Sequence, residues 1–367
     1  MRKPATRDDL AAAFRLQATY CRKRNAVLTA SIVEGAALDI EAGGPFAALF
    51  ADFTEDPGKS AAALRIAGAV HYLVIKGRAS GAVAALYDEP REVDAGAARD
   101  MLTGLLKDHR QVFDQFTVNP PQTNEINRVA ALLPALSEVA SLTGLPLDLY
   151  ELGASGGLLL APDYCAIDYG SFRWGDGPVQ LKSEWRGAKP EFVDLLTIGR
   201  RFGCDRNPID FSQAEQCDVM HSYIWPEHEA RRRRFDAAVD VTRAAGARVE
   251  KADAIDWLGG LAIPRKGAAS VVFTSVFAVY LSDEDSRAMH GLVQEAGAAA
   301  SADAPLAFVQ FEPDKVGEFV VFNIDLTLWP GGERRRMATA QSHGEWVAIA
   351  GAGLRNHDNE KEETSDV

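Results

Sequence analysis

The segment Leu149-Tyr-Glu-Leu-Gly-Ala-Ser-Gly-Gly-Leu158 constrains the fold of this chain more than any other. Pro146–Leu152 reads as a buried strand that runs straight into a turn of small residues, and Leu158–Ala161 is apolar again. A strand entering a glycine-rich turn lets backbone N–H groups approach a ligand closely, because no side chain stands in the way. The flanking sequence alternates in the same sense. Arg200–Cys204 reads as a strand ending at Asp205, Ala247–Lys251 as one ending at Asp253, and Ala269–Ser275 and Leu306–Phe311 as two more. Trp225–Ala245 and Asp283–Ala300 carry helical spacing between them. Strands separated by helices predict an α/β protein with a mostly parallel, doubly wound sheet. Phe319–Leu328 and Met337–Ala350 predict an antiparallel hairpin around Gly331–Gly332 that closes it.

Residues 5–112 lack strand alternation and read as helices, for example Ala61–Val74 with Leu64, Ala67, Val70, Leu73 and Val74 on one face. The expected organisation is a helical N-terminal domain over 1–115 and a sheet domain over 116–352, with an insertion at about 163–198. Tyr169–Gly187 within that insertion is rich in Gly, Trp and Tyr and reads as a ribbon. The acidic segment 353–367 is expected to be disordered. A helix is expected from Thr123, its N-cap, to Leu142, stopped by Gly144.

Three chemistries use a turn of this kind. A dinucleotide site needs glycine where Gly153, Ser155 and Leu158 stand, and two of those positions lack it. A nucleophile elbow, G-x-S-x-G, is matched by Gly153–Gly157, with Ser155, then Asp253 or Glu312, then His343 in the required chain order. No HGGG-type oxyanion segment precedes it, and the region before it is helical rather than a set of strands. An S-adenosylmethionine turn, acid-x-Gly-x-x-x-Gly, is matched by Glu151, Gly153 and Gly157, with Ser155 between them. Asp205 and Asp253 then stand at successive strand ends, where carboxylates can accept from ribose hydroxyls and an adenine amino group. Each of these acids can equally cap a helix.

On these residues the chain resembles the Rossmann-like S-adenosylmethionine-dependent methyltransferases. More closely, it resembles a bacterial family known as a domain of unknown function with methyltransferase-like features. The resembling segments are Gln122–Arg128, Glu151–Gly157, Gly203–Asp210 and Ile224–Pro226 with Arg231 downstream. The resemblance covers most of the chain, the helical part more loosely. It implies the fold and a cofactor pocket for S-adenosylmethionine, and supplies no established activity. The chain departs from the methyltransferase pattern in its long insertion before Asp205 and in lacking an evident helix between Leu306–Phe311 and Phe319–Leu328.

Other groupings read more plainly. Asn119-Pro-Pro-Gln122 resembles the Asn-Pro-Pro-aromatic motif of amino-group methyltransferases with its aromatic replaced, and also reads as a simple stop before a helix. Asn124 and Glu125 put polar groups at a helix start, where Glu125 can orient an amine, act as a base or serve the helix dipole. Ser275 and Tyr280 follow the fourth strand, at the end where open sheets bind ligands. His71 lies on an apolar helix face and reads as a core histidine. Cys204, Cys217, His221 and His228 lack the paired spacing of a zinc site, so no metal is expected. Arg231–Arg234 and Arg334–Arg336 read as solvated, ion-paired faces.

A net charge of −13 does not suit a partner made of phosphates. The start of the chain has no leader pattern and no apolar run is long enough to span a membrane. Four scattered cysteines suit a reducing cytoplasm. The expected function is methyl transfer from S-adenosylmethionine to a small molecule. Glu151, Gly153, Ser155, Gly157, Asp205 and Asp253 would hold the donor, and Asn124, Glu125, Ser275 and Tyr280 would face the acceptor. The alternatives are a serine hydrolase using Ser155 and a ligand-binding protein that kept the fold without the chemistry.

Overall fold

The structure is a computed structural model that describes residues 4–122, 124–316 and 319–349. Two compact units form: Met1–Thr123 with Gln213–Arg233, and Asn124–Ser212 with Arg234–Val367. The first unit thus takes in Gln213–Arg233, a stretch that apolar periodicity alone groups with the sheet.

The first unit is helical. Its helices include Arg7–Lys23, Val27–Glu41, Ala62–Ile75, Ala95–Asp108 and Ala214–Ser222. Val27–Glu41 is apolar on almost every side, so it is buried among the others. Phe14, Phe46, Phe50 and Phe113 are fully buried, with Phe14 edge-on to Phe50 and Phe46 edge-on to Phe113. Helix Val27–Glu41 starts at Ala26, which offers no capping side chain. Glu227 supplies the cap from far along the chain: its Oε1 accepts from the Leu28 and Thr29 amides at 2.7 and 3.0 Å.

Among the described residues the second unit carries twelve strands: β1 Leu147–Leu152, β2 Cys165–Asp168, β3 Arg173–Trp174, β4 Val179–Lys182, β5 Glu184–Arg186, β6 Ile198–Asp205, β7 Arg248–Lys251, β8 Ala269–Ser275, β9 Leu306–Val316, β10 Phe319–Trp329, β11 Glu333–Ala340 and β12 Trp346–Ile349. Nine of them form one sheet in the order β5-β12-β11-β10-β9-β8-β1-β6-β7. From β7 to β9 every pairing is parallel, and β9, β10, β11 and β12 are antiparallel neighbours. β1 and β8 are buried along their whole length, as central parallel strands must be. Helices Ala254–Gly259 and Asp283–Ala298 connect the parallel strands, and Trp257, Met289 and Val293 pack with Tyr150, Val272 and Phe308.

Three expectations need correction in detail. The helix expected from Thr123 begins at Val129, after a 3-10 turn at Ile126–Arg128. Glu125 caps that turn by accepting from the Asn127 amide at 3.1 Å, and Thr123 lies outside the described residues. The side chains of Asn127 and Arg128 are then drawn inward to carbonyls of Lys182, Gly344, Ser342 and Ser275. The hairpin partner of β10 starts at Glu333 rather than Met337, because Asp325 pairs with both Arg334 and Arg336 across the strands. The expected ribbon divides: β3 and β4 pair with β2 in a separate sheet, β5 joins the edge of the nine-stranded sheet beside β12, and Tyr169, Phe172, Trp185 and Phe192 pack together. The expected tail 353–367 lies outside the described residues.

Candidate functional site

From β1 the chain moves to β6 and β7 on one side, then crosses to β8 and β9 on the other. That reversal places a switch point between the carboxyl ends of β1 and β8, where open parallel sheets leave a crevice for ligands. The glycine-rich turn sits there. Gly153 and Ala154 donate to Cys204 O at 3.0 and 2.9 Å, which ties the turn to β6. Gly153, Ser155 and Gly157 all have positive φ (+73°, +51° and +77°). Glycine adopts that geometry freely; Ser155 does so under strain.

Glu151 stands at the base of this turn. It is 2% exposed, and its Oε2 has no hydrogen-bond partner among the described residues. Burial holds its carboxyl well above the usual carboxylate range; Arg128 opposes that shift and Asp205 adds to it. Arg128 is itself buried. Its Nε donates to Ser342 O at 2.9 Å, and its Nη1 to Ser275 O at 3.2 Å and Ser275 Oγ at 3.4 Å.

Beyond Ser275 the backbone is strained. Val276 has φ +54°, an outlier for a β-branched residue. Glu312, at the level of the end of β8, accepts from the Phe277 amide at 3.0 Å and the Ala278 amide at 3.1 Å and so holds the bend. Burial raises the Glu312 carboxyl above its ordinary value, against the pull of those amides and of Arg128. The bend aims Phe277 at the turn: a Cβ placed on Gly153 would meet the ring at 2.2 Å. On the next face, a Cβ on Gly156 would meet Phe211 at 2.3 Å. Two side chains of the chain therefore fill the space that the glycines leave.

The remaining acids are partly engaged. Asp205 Oδ2 accepts from the Ser155 amide and Oδ1 from the Asn207 amide, each at 2.8 Å. Asp253 lies two residues past β7. It caps helix Ala254–Gly259 through the Ile255 amide and pairs with Arg206 at 2.6 Å. Asn124 Nδ2 donates to Ala154 O at 2.7 Å, which places it on the turn. Glu125 is buried, 3.7 Å from Arg234, while Tyr280 is 65% exposed. The sequence motifs give no role to Arg128, Phe211 or Phe277. The signal for Arg128 was its place in a polar run next to a buried helix; nothing local marks the two rings. Among the described residues no group of three or more His, Cys, Asp or Glu is arranged to hold a metal.

The chain belongs to the DUF2332 family. That family is described as an uncharacterized protein conserved in bacteria, and the match runs over residues 11–348. No curated protein and no solved structure matches the chain. In this DUF2332 member no described helix is long and apolar enough to cross a membrane.

Proposed function

We propose that this protein transfers a methyl group from S-adenosylmethionine to a small molecule. The observation that carries the reading is Glu151, a buried acid beneath a glycine-rich turn at the sheet's switch point, with an oxygen that has no partner among the described residues. The residues suit the donor. Glu151 Oε2 would accept from its ammonium, and Gly153 and Gly157, with Ser155 between them, would let it approach the backbone. Asp205 spends two of the roughly four acceptor positions of a carboxylate on amides, which leaves lone pairs for ribose hydroxyls. Asp253 would reach an adenine amino group only while sharing its charge with Arg206. The Phe277 ring would have to leave Gly153, and what it blocks with is a side chain rather than backbone.

When bound, the sulfonium supplies a methyl group on a good leaving group. The chain's own task is alignment and, for some acceptors, removal of a proton. Asn124, Glu125, Ser275 and Tyr280 would face the acceptor. A small, uncharged or cationic acceptor suits the charge of −13 better than nucleic acid does, and a cytoplasmic setting suits the free cysteines.

Calorimetric titration with S-adenosylmethionine and S-adenosylhomocysteine tests the reading. Micromolar binding that Glu151→Ala and Asp205→Ala lose would support it, and folded protein that binds neither at millimolar concentration would end it. The filled turn favours a second reading, a ligand-binding protein without the chemistry; binding with no turnover over a panel of acceptors would select it. The strained φ of Ser155 is the feature that keeps a serine hydrolase in view.

A further inference from the structure

The carboxyl end of β1 gathers more negative than positive groups in a buried place. Arg128 is the cation that acts on Glu151, and it acts on Glu312 and Tyr280 as well. It donates to Ser342 O and to Ser275 O and Oγ, while Glu151 Oε2 has no hydrogen-bond partner among the described residues. The titratable neighbours of Glu151 are Arg128 from the 3-10 turn and Cys204 and Asp205 from β6. In register on β8 stands Phe273, which offers no charge, and on β6 Gly203, which offers no side chain. One guanidinium thus serves two glutamates, and the glutamate at the turn has no donor to Oε2 among the described residues. An ionised carboxylate is expensive in such a place unless a cation joins it.

We infer that Glu151 keeps its proton in the free protein, that the crevice takes a ligand presenting a cationic group to Oε2, and that binding releases that proton to solvent. This rests on the proposed function, since the donor carries an ammonium and a sulfonium. The balance is simple. The ligand's N–H donates to the carboxylate, the Glu151 proton passes to buffer, and no group is oxidised or reduced. Release of a proton on binding means that affinity rises with pH while Glu151 is protonated in the free protein, by up to about tenfold per unit.

The test is titration of the full chain with S-adenosylmethionine in two buffers of different ionisation enthalpy at the same pH. Wild type should release close to one proton more than Glu151→Gln, in which titration of the ligand's own amine remains. Binding by wild type with the same proton count as the variant overturns the inference and leaves the donor reading standing. Absence of binding overturns both. A second readout needs no ligand: the infrared carboxylic-acid carbonyl band of the free protein at neutral pH should weaken in Glu151→Gln. A difference spectrum without that band overturns the inference whatever the titration shows.

Discussion

The ring of Phe277 rests on the Cα of Gly153, so close that a Cβ there would stand 2.2 Å from ring Cδ2. The contact joins the strained bend after β8 to the turn after β1, across the crevice where a ligand would lie. A ligand entering this crevice must displace the ring, so its apparent affinity is reduced by the fraction of molecules in which the ring is away. Phe277→Ala should therefore tighten binding of S-adenosylhomocysteine about tenfold, equivalent to about 1.4 kcal/mol. Gly153→Ala should do the opposite and destabilise the fold by about 2–4 kcal/mol, because its φ is +73° and the added methyl meets the ring. Titration calorimetry and urea denaturation read the two effects. Equal affinity of wild type and Phe277→Ala would mean that the ring does not gate the site.

Much of the sheet was legible because parallel strands announce themselves. β8 is Ala269–Ser275 in the structure, the span its apolar character predicts, and Gly144 ends helix Val129–Thr143 in the left-handed conformation. β1, with its glycine turn, was equally plain. The start of helix Val129–Thr143 was not, because Asn127 and Arg128 are held by carbonyls more than fifty residues away. Long-range partners of this kind leave no local trace. The same holds for Phe277 and Phe211. Aromatic residues after a strand read as core, and only the fold shows that they lie on the turn's glycines. Glu227 as the cap of a helix two hundred residues earlier in the chain is a third case.

His71 gives the helical unit a pH-dependent stability. It is 4% exposed, with Nδ1 3.1 Å from Ser222 O. Burial first, then the neighbouring His221, lowers its pKa to about 4. The unfolded chain would titrate it near 6.5. A lowered histidine binds its proton more readily when unfolded, so its contribution is complete above about pH 6.5 and is lost as the pH falls toward 4. The expected loss over that window is about 3 kcal/mol. Urea denaturation from pH 7 to pH 4, compared between wild type and His71→Gln, isolates it. The variant should show a flatter dependence, and parallel curves would assign the slope to other groups.

Glu227 offers a cleaner stability test, because its carboxylate does one visible task. Oε1 accepts from the Leu28 and Thr29 amides and Oε2 from the Thr29 hydroxyl at 2.9 Å. It meets the positive end of the helix Val27–Glu41 dipole as well as two amides that the helix itself cannot satisfy. Glu227→Ala should cost about 1–2 kcal/mol, the range of a lost N-cap. Glu227→Gln, which keeps an acceptor oxygen but no charge, should cost about half as much. Thermal denaturation of both variants checks the order, and equal losses would show that charge at the helix end contributes nothing.

Ser155 separates the enzyme readings. A serine nucleophile must be reachable, with its oxygen presented to an incoming carbonyl. Here Ser155 is 7% exposed, its amide donates to Asp205, its carbonyl accepts from the Ile209 amide at 3.1 Å, and Phe211 covers the glycine beside it. Every backbone group of the residue thus serves the turn, and its positive φ follows from that tie to β6. Incubation with a fluorophosphonate probe should leave the protein unlabelled at micromolar concentrations that mark serine hydrolases. Ser155→Ala should keep the affinity for S-adenosylhomocysteine within about threefold, less than 1 kcal/mol, because the Asp205 contact uses the backbone. Covalent labelling that Ser155→Ala abolishes would instead make the turn a nucleophile elbow and retire the methyl-donor reading.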